Sequence, residues 1–115
     1  MVIKETLQHR EAVRGGKGTV DFYHVVPKDM TDDYVHMFAK LVINPASSIG
    51  RHQHVGETEP YYILEGEGLF TDNDGTETVV RPGDVCLIKN GDYHSIENLS
   101  DTEPLSLMAV IYKQD

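Results

Sequence analysis

Hydrophobic and polar residues alternate over short segments of this chain, and no segment of useful length shows the period of a helix. The stretch from Val35 to Ile43 puts a wholly apolar set of residues on one face and a mixed set on the other, which predicts a strand. The apolar set is expected in the core and comprises Met37, Ala39, Leu41 and Ile43. The stretch from Thr19 to Val26 is rich in β-branched and aromatic residues and ends at Pro27, which is typical of another strand.

Turn signals separate the remaining predicted strands at even intervals. Glycine follows aspartate, proline or asparagine at three places, and such pairs are typical of tight turns. These turns are expected at Asp74-Gly75, Pro82-Gly83 and Asn90-Gly91. The strands around them are expected at Tyr61 to Leu64, up to Thr71, at Thr76 to Arg81, Val85 to Lys89, Tyr93 to Asn98 and Leu105 to Tyr112. The first and the last turn are expected to be hairpins, and short strands at this spacing predict an all-β barrel or sandwich.

The chain is expected to divide into an N-terminal arm, residues 1 to 18, and one β-barrel domain, residues 19 to 115. A length of 115 residues suits a single domain. Met1 to Arg14 has mixed polarity and no clear period, which predicts an extended arm or a weak edge strand. The sequence RGGKG at residues 14 to 18 could form an anion-binding turn, but it lacks the spacing and the following helix of a phosphate loop. We therefore expect a flexible connector there.

Composition limits the partners and the location of the protein. The chain has 19 Asp and Glu against 10 Lys and Arg, a formal net charge of -9, which disfavours nucleic acid as a partner because phosphate backbones would be repelled. No apolar run approaches the roughly 20 residues of a membrane helix, and the N-terminus lacks the apolar core of a signal peptide. The only cysteine, Cys86, can form no internal disulfide, so we expect a reducing, cytoplasmic location and no membrane partner.

Three predicted strands carry apolar residues on both faces, although the outer face of a monomeric antiparallel barrel is usually polar. They are Tyr61 to Leu64, Val85 to Ile88 and Leu105 to Tyr112. A second layer is expected to cover them, and the simplest second layer is another copy of the chain. This predicts a homodimer that buries Tyr62, Leu64 and part of the last strand.

The stretch from Pro45 to Gly68 concentrates histidines and carboxylates immediately before a strongly predicted strand. His52 and His54 are two residues apart, so on a strand both imidazoles leave the same face. Glu59 has the wrong parity to join them, but Gly56 permits a bulge or short loop that resets the alternation. This stretch is interpreted as half of a metal site, and Glu57 remains an alternative carboxylate ligand.

The second half of the predicted site is Gly83 to Asn98, where His94 follows the Asn90-Gly91 turn. Hairpin pairing is expected to return His94 toward the strand that carries Glu59. Together the two stretches resemble the two motifs of the cupin family. The first motif, G-x5-H-x-H-x3,4-E-x6-G, matches at His52, His54, Glu59 and Gly66, and the second, G-x5-P-x-G-x2-H-x3-N, matches at Gly83, Gly91, His94 and Asn98. Ala46 and Lys89 depart from the motifs, and both positions concern turn geometry rather than ligation.

The resemblance implies a cupin barrel, a double-stranded β-helix or jelly roll, that holds one divalent transition metal on His52, His54, Glu59 and His94. Manganese is the usual metal of the small bacterial monocupins related to oxalate decarboxylase that this chain is similar to. Three imidazoles and a carboxylate also suit Fe, Co, Ni or Zn. An octahedral ion would keep two positions open for a small, anionic ligand.

The resemblance further implies a metal-dependent enzyme that acts on a small carboxylate or another oxygen-rich molecule, in the manner of an oxalate decarboxylase or a dioxygenase. The alternative is a non-catalytic module that binds or senses a small ligand through the metal, and a structural barrel with an opportunistic metal is a third class. Candidate acid-base or ligand-binding residues are Glu57, Tyr61 and Glu97. Arg51 is expected to point away from the site, and His24 and His36 have no motif support.

Overall fold

The computed structural model describes residues 1–114, and its regular structure consists of β-strands and two short 3-10 turns. The strands are β1 (Thr6–Glu11), β2 (Thr19–His24), β3 (Val35–Ile43), β4 (Ser48–Gln53), β5 (Glu57–Glu65), β6 (Gly68–Thr71), β7 (Glu77–Val80), β8 (Val85–Ile88), β9 (Tyr93–Asn98) and β10 (Leu105–Lys113). The 3-10 turns are Val13–Gly15 and Lys28–Met30. Within the described range, no helix has the length and apolar character that a membrane crossing requires.

The strands form two antiparallel sheets. The larger has the order β1-β2-β3-β10-β5-β8, and the smaller has the order β4-β9-β6-β7. Side chains from the inner faces of both sheets form one core between them. The all-β prediction is therefore confirmed, and the site lies in a fold whose two halves are joined mainly by side chains rather than by backbone pairing.

The alternation predicted for β3 is present in the structure. Ala39, Leu41 and Ile43 are buried, and Met37 is partly buried against the core. β10 lies between β3 and β5 and pairs with both, so that Leu41 lies directly across from Leu107. Its pairing on both edges satisfies its backbone, and the side chains of Leu105, Leu107 and Ala109 are buried in the core.

β1 is the outermost strand of the larger sheet. It pairs with β2 along its whole length, from Thr6 opposite His24 to Glu11 opposite Thr19. All six of its residues are exposed, as is expected for an edge strand with mixed polarity. Residues 6–11 thus adopt the edge-strand form of the two forms considered from the sequence, and the division of the chain at residue 18 remains an interpretation.

The segment after β1 packs against β4. The backbones of the two segments approach so closely that a Cβ on Gly50 would collide with the carbonyl oxygen of Arg14, and a Cβ on Gly16 with that of Ser48. The Lys17 amide donates to Ser48 Oγ over 2.9 Å, and the Ser48 amide donates back to the Lys17 carbonyl over 2.9 Å. The RGGKG sequence is therefore docked on the sheet and does not act as the free connector that we expected.

Asp74-Gly75 forms the predicted hairpin, which joins β6 to β7. The predicted hairpin at Asn90-Gly91 is wrong. β8 pairs with β5 in the larger sheet, whereas β9 pairs with β4 and β6 in the smaller sheet, so this turn carries the chain from one sheet to the other. A tight turn reverses the chain locally, but a hairpin also needs both flanking strands in the same sheet, and the Asn-Gly pair carries no information on that point.

Asn98 ties the end of β9 to the loop after β3. Its Nδ2 donates to the carbonyl oxygens of Ile43, Asn44 and Glu103 over 3.0, 3.2 and 2.9 Å. Its Oδ1 accepts from the Ser100 amide over 2.9 Å. A buried amide that uses both of its ends in this way joins the end of β9 to the loops after β3 and before β10.

Candidate metal centre

The two sheets together assemble the four candidate ligands. β4 and β9 pair with His52 directly opposite His94, and His54 follows immediately after β4. Glu59 comes from β5 in the larger sheet. Gly56 has a positive φ of 76° between His54 and β5, so the chain turns there and the parity of Glu59 is reset as predicted. One ligand atom from each residue lies within 4.8 Å of all the others.

The imidazole nitrogens are unusually close to one another. The Nε2 atoms are 3.1 Å apart for His52 and His54, 3.0 Å for His54 and His94, and 3.1 Å for His94 and His52. Glu59 Oε1 lies 3.0 Å from His54 Nε2 and 3.5 Å from His94 Nε2. Glu59, His54 and His94 are buried, and His52 is partly buried.

Hydrogen bonds fix the proton position on two of these rings. His52 Nδ1 lies 2.8 Å from the Gly50 carbonyl oxygen, and His54 Nδ1 lies 2.7 Å from Glu57 Oε1. Both oxygens accept, so each Nδ1 must carry the proton and each Nε2 of the neutral ring presents a lone pair. Among residues 1–114, Glu59 Oε1 has no hydrogen-bond partner. Several lone pairs therefore face a common point with no donor between them.

This arrangement fits a metal ion. Two ligand atoms at right angles around an ion, with bonds of about 2.1 Å, are about 3.0 Å apart, whereas tetrahedral ligands at that bond length are about 3.4 Å apart. The three imidazole separations match the octahedral spacing. Neutral imidazoles with a carboxylate, and no thiolate, suit a divalent transition metal.

Burial and neighbouring charges keep most of the candidate ligands in the protonation state that binds a metal. Burial, and then the neighbouring His52 and His54 rings, lower the pKa of His94 to about 2. Burial also lowers the pKa of His52. At His54 burial acts in the same direction, but the carboxylates of Glu59 and Glu57 outweigh it and raise the pKa. Burial raises the pKa of Glu59. His52 and His94 are therefore neutral near pH 7, as metal ligands must be.

A cavity of about 80 Å³ adjoins the cluster and is lined in part by His52, His54 and Glu59. It is large enough for ordered water or a small ligand. Arg10 and Arg14 also line it. Sequence reasoning missed both arginines, because it treated residues 1 to 18 as an arm. The signal that could have revealed them is the pair of glycines after Arg14, which permits close docking.

The three candidate acid-base residues lie in three different environments. Glu57 is not in the ligand cluster, because Oε1 contacts His54 Nδ1 and Oε2 contacts His36 Nδ1 at 2.6 Å. Tyr61 is buried, lines the cavity and lies with its ring centroid 5.5 Å from that of His94. Burial raises the pKa of Tyr61 well above its usual value, so the phenol keeps its proton.

Glu97 is exposed and does not reach the cavity. Side chains alternate along β9, so Glu97 lies on the opposite face from His94. Arg51 points away from the site as predicted, and its guanidinium donates to the carbonyl oxygens of Asp72 and Asn73 over 3.3 and 3.0 Å. His36 was not expected near the site, yet it reaches His54 through Glu57.

Comparison with known proteins agrees with this geometry. The family model described as "Cupin domain" matches residues 39–111, more than half of the chain. A relative named oxalate-binding protein, from Thermotoga maritima, is 46% identical over 99 residues, which cover 86% of this chain and 80% of the relative. The chain belongs to the cupin family.

Solved structures place this cupin in the same fold. The crystal structure of a predicted oxalate decarboxylase from Thermotoga maritima superposes with a TM-score of 0.90 at 41% identity and covers 99% of this chain and 100% of that chain. A cupin domain from Schizosaccharomyces pombe superposes with a TM-score of 0.73 at 13% identity, covers 98% of this chain and 90% of that chain, and supports the fold alone.

Replacing Glu57 with alanine is expected to lower metal affinity about 10- to 100-fold, because the carboxylate that orients His54 and fixes its proton on Nδ1 is lost. Metal titration by calorimetry measures the effect. The matched control is Glu97→Ala, which removes an exposed carboxylate outside the cavity and should leave affinity unchanged. Equal affinity in the Glu57→Ala variant and the unchanged protein would contradict an orienting role.

Metal affinity is expected to fall progressively as the pH drops, because an imidazole must be neutral to ligate and its ordinary pKa is about 6.5. The raised pKa of His54 moves the start of this loss to higher pH, since this ring gains its proton first as the pH drops. Affinity is complete above that pKa and is lost below it. Titrations between pH 8 and 4.5 check this, and a constant affinity over that range would be inconsistent with imidazole ligation.

Proposed function

We propose that this cupin holds one divalent transition metal ion on His52, His54, Glu59 and His94, and uses it to bind a small carboxylate such as oxalate. One observation carries the proposal. Three imidazole nitrogens and a carboxylate oxygen converge beside a cavity of about 80 Å³. An ion with octahedral geometry held by four residues has two positions left, and the adjoining cavity offers room for a small ligand.

Manganese is our proposed ion, with iron, cobalt and nickel as alternatives. The separations of 3.0 to 3.1 Å between imidazole nitrogens favour ligands at right angles, which supports an octahedral ion over tetrahedral zinc. The carboxylate of Glu59 adds a hard oxygen donor.

The cavity beside the candidate ligands admits a small dicarboxylate such as oxalate, since its volume is about 80 Å³. The names of two relatives support the same ligand, since one is an oxalate-binding protein and the other is described as a predicted oxalate decarboxylase.

Binding without turnover is supported better than catalysis by the positions of the acid-base candidates. Both oxygens of Glu57 are engaged by histidines, and Glu97 lies outside the cavity. Tyr61 favours the second candidate function, a decarboxylase or dioxygenase acting on the carboxylate. Its phenol is protonated at the cavity wall and can donate a hydrogen bond to a bound carboxylate. The ion would supply Lewis-acid polarisation of the carboxylate.

Calorimetry of apo and manganese-loaded protein with oxalate tests the proposal. We expect one oxalate per subunit, bound only when the ion is present, and loss of both ion and oxalate in a His52→Ala/His54→Ala double variant. Release of CO2 from oxalate, or consumption of O2 in the presence of oxalate, would assign the catalytic function. Full metal occupancy without oxalate binding, or oxalate binding unaffected by metal removal, would refute the proposal.

We also propose that the protein is a homodimer that covers the outer face of the larger sheet. Tyr62 and Leu64 on β5 are 50% and 40% exposed, and Val85 and Leu87 on the neighbouring edge strand β8 are 63% and 48% exposed. Met108 on β10 lies beside Tyr62 in register and extends the same face. A contiguous apolar surface of this kind is typical of an interface.

Introducing charge on this face is expected to separate the subunits. A Tyr62→Glu/Val85→Glu double variant should sediment as a monomer at concentrations where the unchanged protein sediments as a dimer, because two charges would be buried at the interface. Tyr93→Glu is the control, since Tyr93 is 44% exposed on β9 in the other sheet. A monomeric unchanged protein at micromolar concentration would remove the proposal.

We retain the cytoplasm as the proposed location. The free thiol of Cys86 is buried and burial raises its pKa to about 12, so it is held as an unreactive thiol. This is in keeping with a reducing compartment.

A further inference from the structure

The wall of the metal cavity is supplied in part by residues from outside the matched cupin domain. The cupin model covers residues 39–111, yet Arg10, Val13, Arg14 and Phe22 line the cavity together with the metal ligands. We propose that Arg10 and Arg14 form the anion-recognition wall of this cavity and select dianionic over monoanionic ligands. This inference rests on the proposed function, because it concerns the carboxylate that the metal binds.

Arg14 is held in place by its backbone rather than by its side chain. The 3-10 turn Val13–Gly15 is anchored by the buried side chain of Val13. Arg14 itself adopts a left-handed conformation, with φ 54° and ψ 33°, which is uncommon for a residue with a side chain. The close approach of its carbonyl to Gly50 fixes the turn on the strand that carries His52. The backbone of Arg14 is thus fixed beside the candidate ligands, while its exposed side chain keeps its donors free.

Arg10 is held by an aromatic ring of the same wall. Its guanidinium carbon lies 5.1 Å from the centroid of the Phe22 ring, within the range of a cation–π interaction. The pairing of β1 with β2 sets this contact, since Arg10 lies opposite Val20 and Phe22 is two residues farther along β2. Stacking on a ring leaves the N–H donors at the edge of the guanidinium available to a ligand.

Neither guanidinium has an anionic partner within residues 1–114. The structure gives no ion pair or side-chain hydrogen bond to Arg10 or Arg14, although Arg81 pairs with Glu67 at 3.0 Å and Arg51 donates to two carbonyls. The chain as a whole has almost twice as many acidic as basic residues. Two unpaired arginines at one cavity in such a protein are therefore available to recognise an anion.

The same two arginines also line the approach to the cavity. An outer chamber of about 380 Å³ contains Arg10 and Arg14 together with Lys28. Glu57 also lines this chamber, but its carboxylate is paired with His36 and His54. A net charge of -9 repels anions at long range, and a local cluster of cations at the entrance opposes this repulsion.

A dicarboxylate can contact a metal ion with some of its oxygens and an arginine with the others. Oxalate has four oxygens, and an ion with two open positions can take two of them. The remaining oxygens then need donors, and the planar fork of arginine suits two carboxylate oxygens. Oxamate, in which an amide replaces one carboxylate, has one negative charge fewer and therefore gains less from the arginines.

Calorimetry of manganese-loaded variants tests the inference. Arg14→Gln and Arg10→Gln are compared with Arg51→Gln, an arginine on the outer face that does not line the cavity. We expect Arg14→Gln to weaken oxalate binding by about tenfold or more, with a smaller loss for oxamate, and Arg10→Gln to act in the same direction. Manganese affinity, titrated separately, should change by less than about threefold, and Arg51→Gln should behave as the unchanged protein.

Three results would overturn the inference. One is equal oxalate affinity in Arg14→Gln and the unchanged protein, which would leave the proposed function intact. The second is a loss of the same size for oxalate and oxamate, or one matched by Arg51→Gln, since neither reflects charge recognition. The third is an unchanged, metal-loaded protein that binds no oxalate, which would overturn the inference and the proposed function together. Thermal melting of each variant shows that the fold is retained.

Discussion

The structure depends on the close approach of three imidazole nitrogens and a carboxylate oxygen between two sheets. Atoms that carry lone pairs repel at about 3 Å when no proton or cation lies between them, and burial removes the water that would otherwise separate them. A cation at this point turns the repulsion into attraction. The imidazoles come from the smaller sheet and the residue that follows β4, and Glu59 comes from the larger sheet. An ion would therefore link the two sheets, and its binding energy would contribute to the stability of the fold.

The surrounding layer holds the ligands in orientation. The Gly50 carbonyl and Glu57 fix the proton positions of His52 and His54, and His36 in turn holds Glu57 from the surface side. Tyr61 lines the cavity, and burial raises the pKa of its phenol so that it stays neutral. The residues that would ligate an ion, the residues that orient their rings and the residue at the cavity wall are therefore different. The acid-base candidates divide in the same way, because Glu57 contacts two histidines and Tyr61 lies at the cavity.

The sequence was sufficient to predict most strands of the barrel and the four side chains that converge between the sheets, because alternation along a strand decides which side chains share a face. His52 and His54 could be placed together on that basis, and Gly56 explained how Glu59 joins them. It was not sufficient to predict strand partners, so Asn90-Gly91 was wrongly read as a hairpin. Nor could it predict the docking of residues 13 to 18, because contact between Gly16 and β4 depends on residues more than 30 positions away. Arg10 and Arg14 were missed for the same reason.

Because the N-terminal turn is docked on β4, the candidate ligands and part of the cavity wall come from different parts of the chain. The later strands supply the four candidate ligands and most of the buried core, while the segment before β2 supplies Arg10 and Arg14 to the cavity wall. Substitutions of Arg10 or Arg14, whose side chains are exposed, can change the charge at this wall without altering the candidate ligands or the buried core. A barrel of this kind can therefore change which molecule it admits while the four converging side chains stay the same.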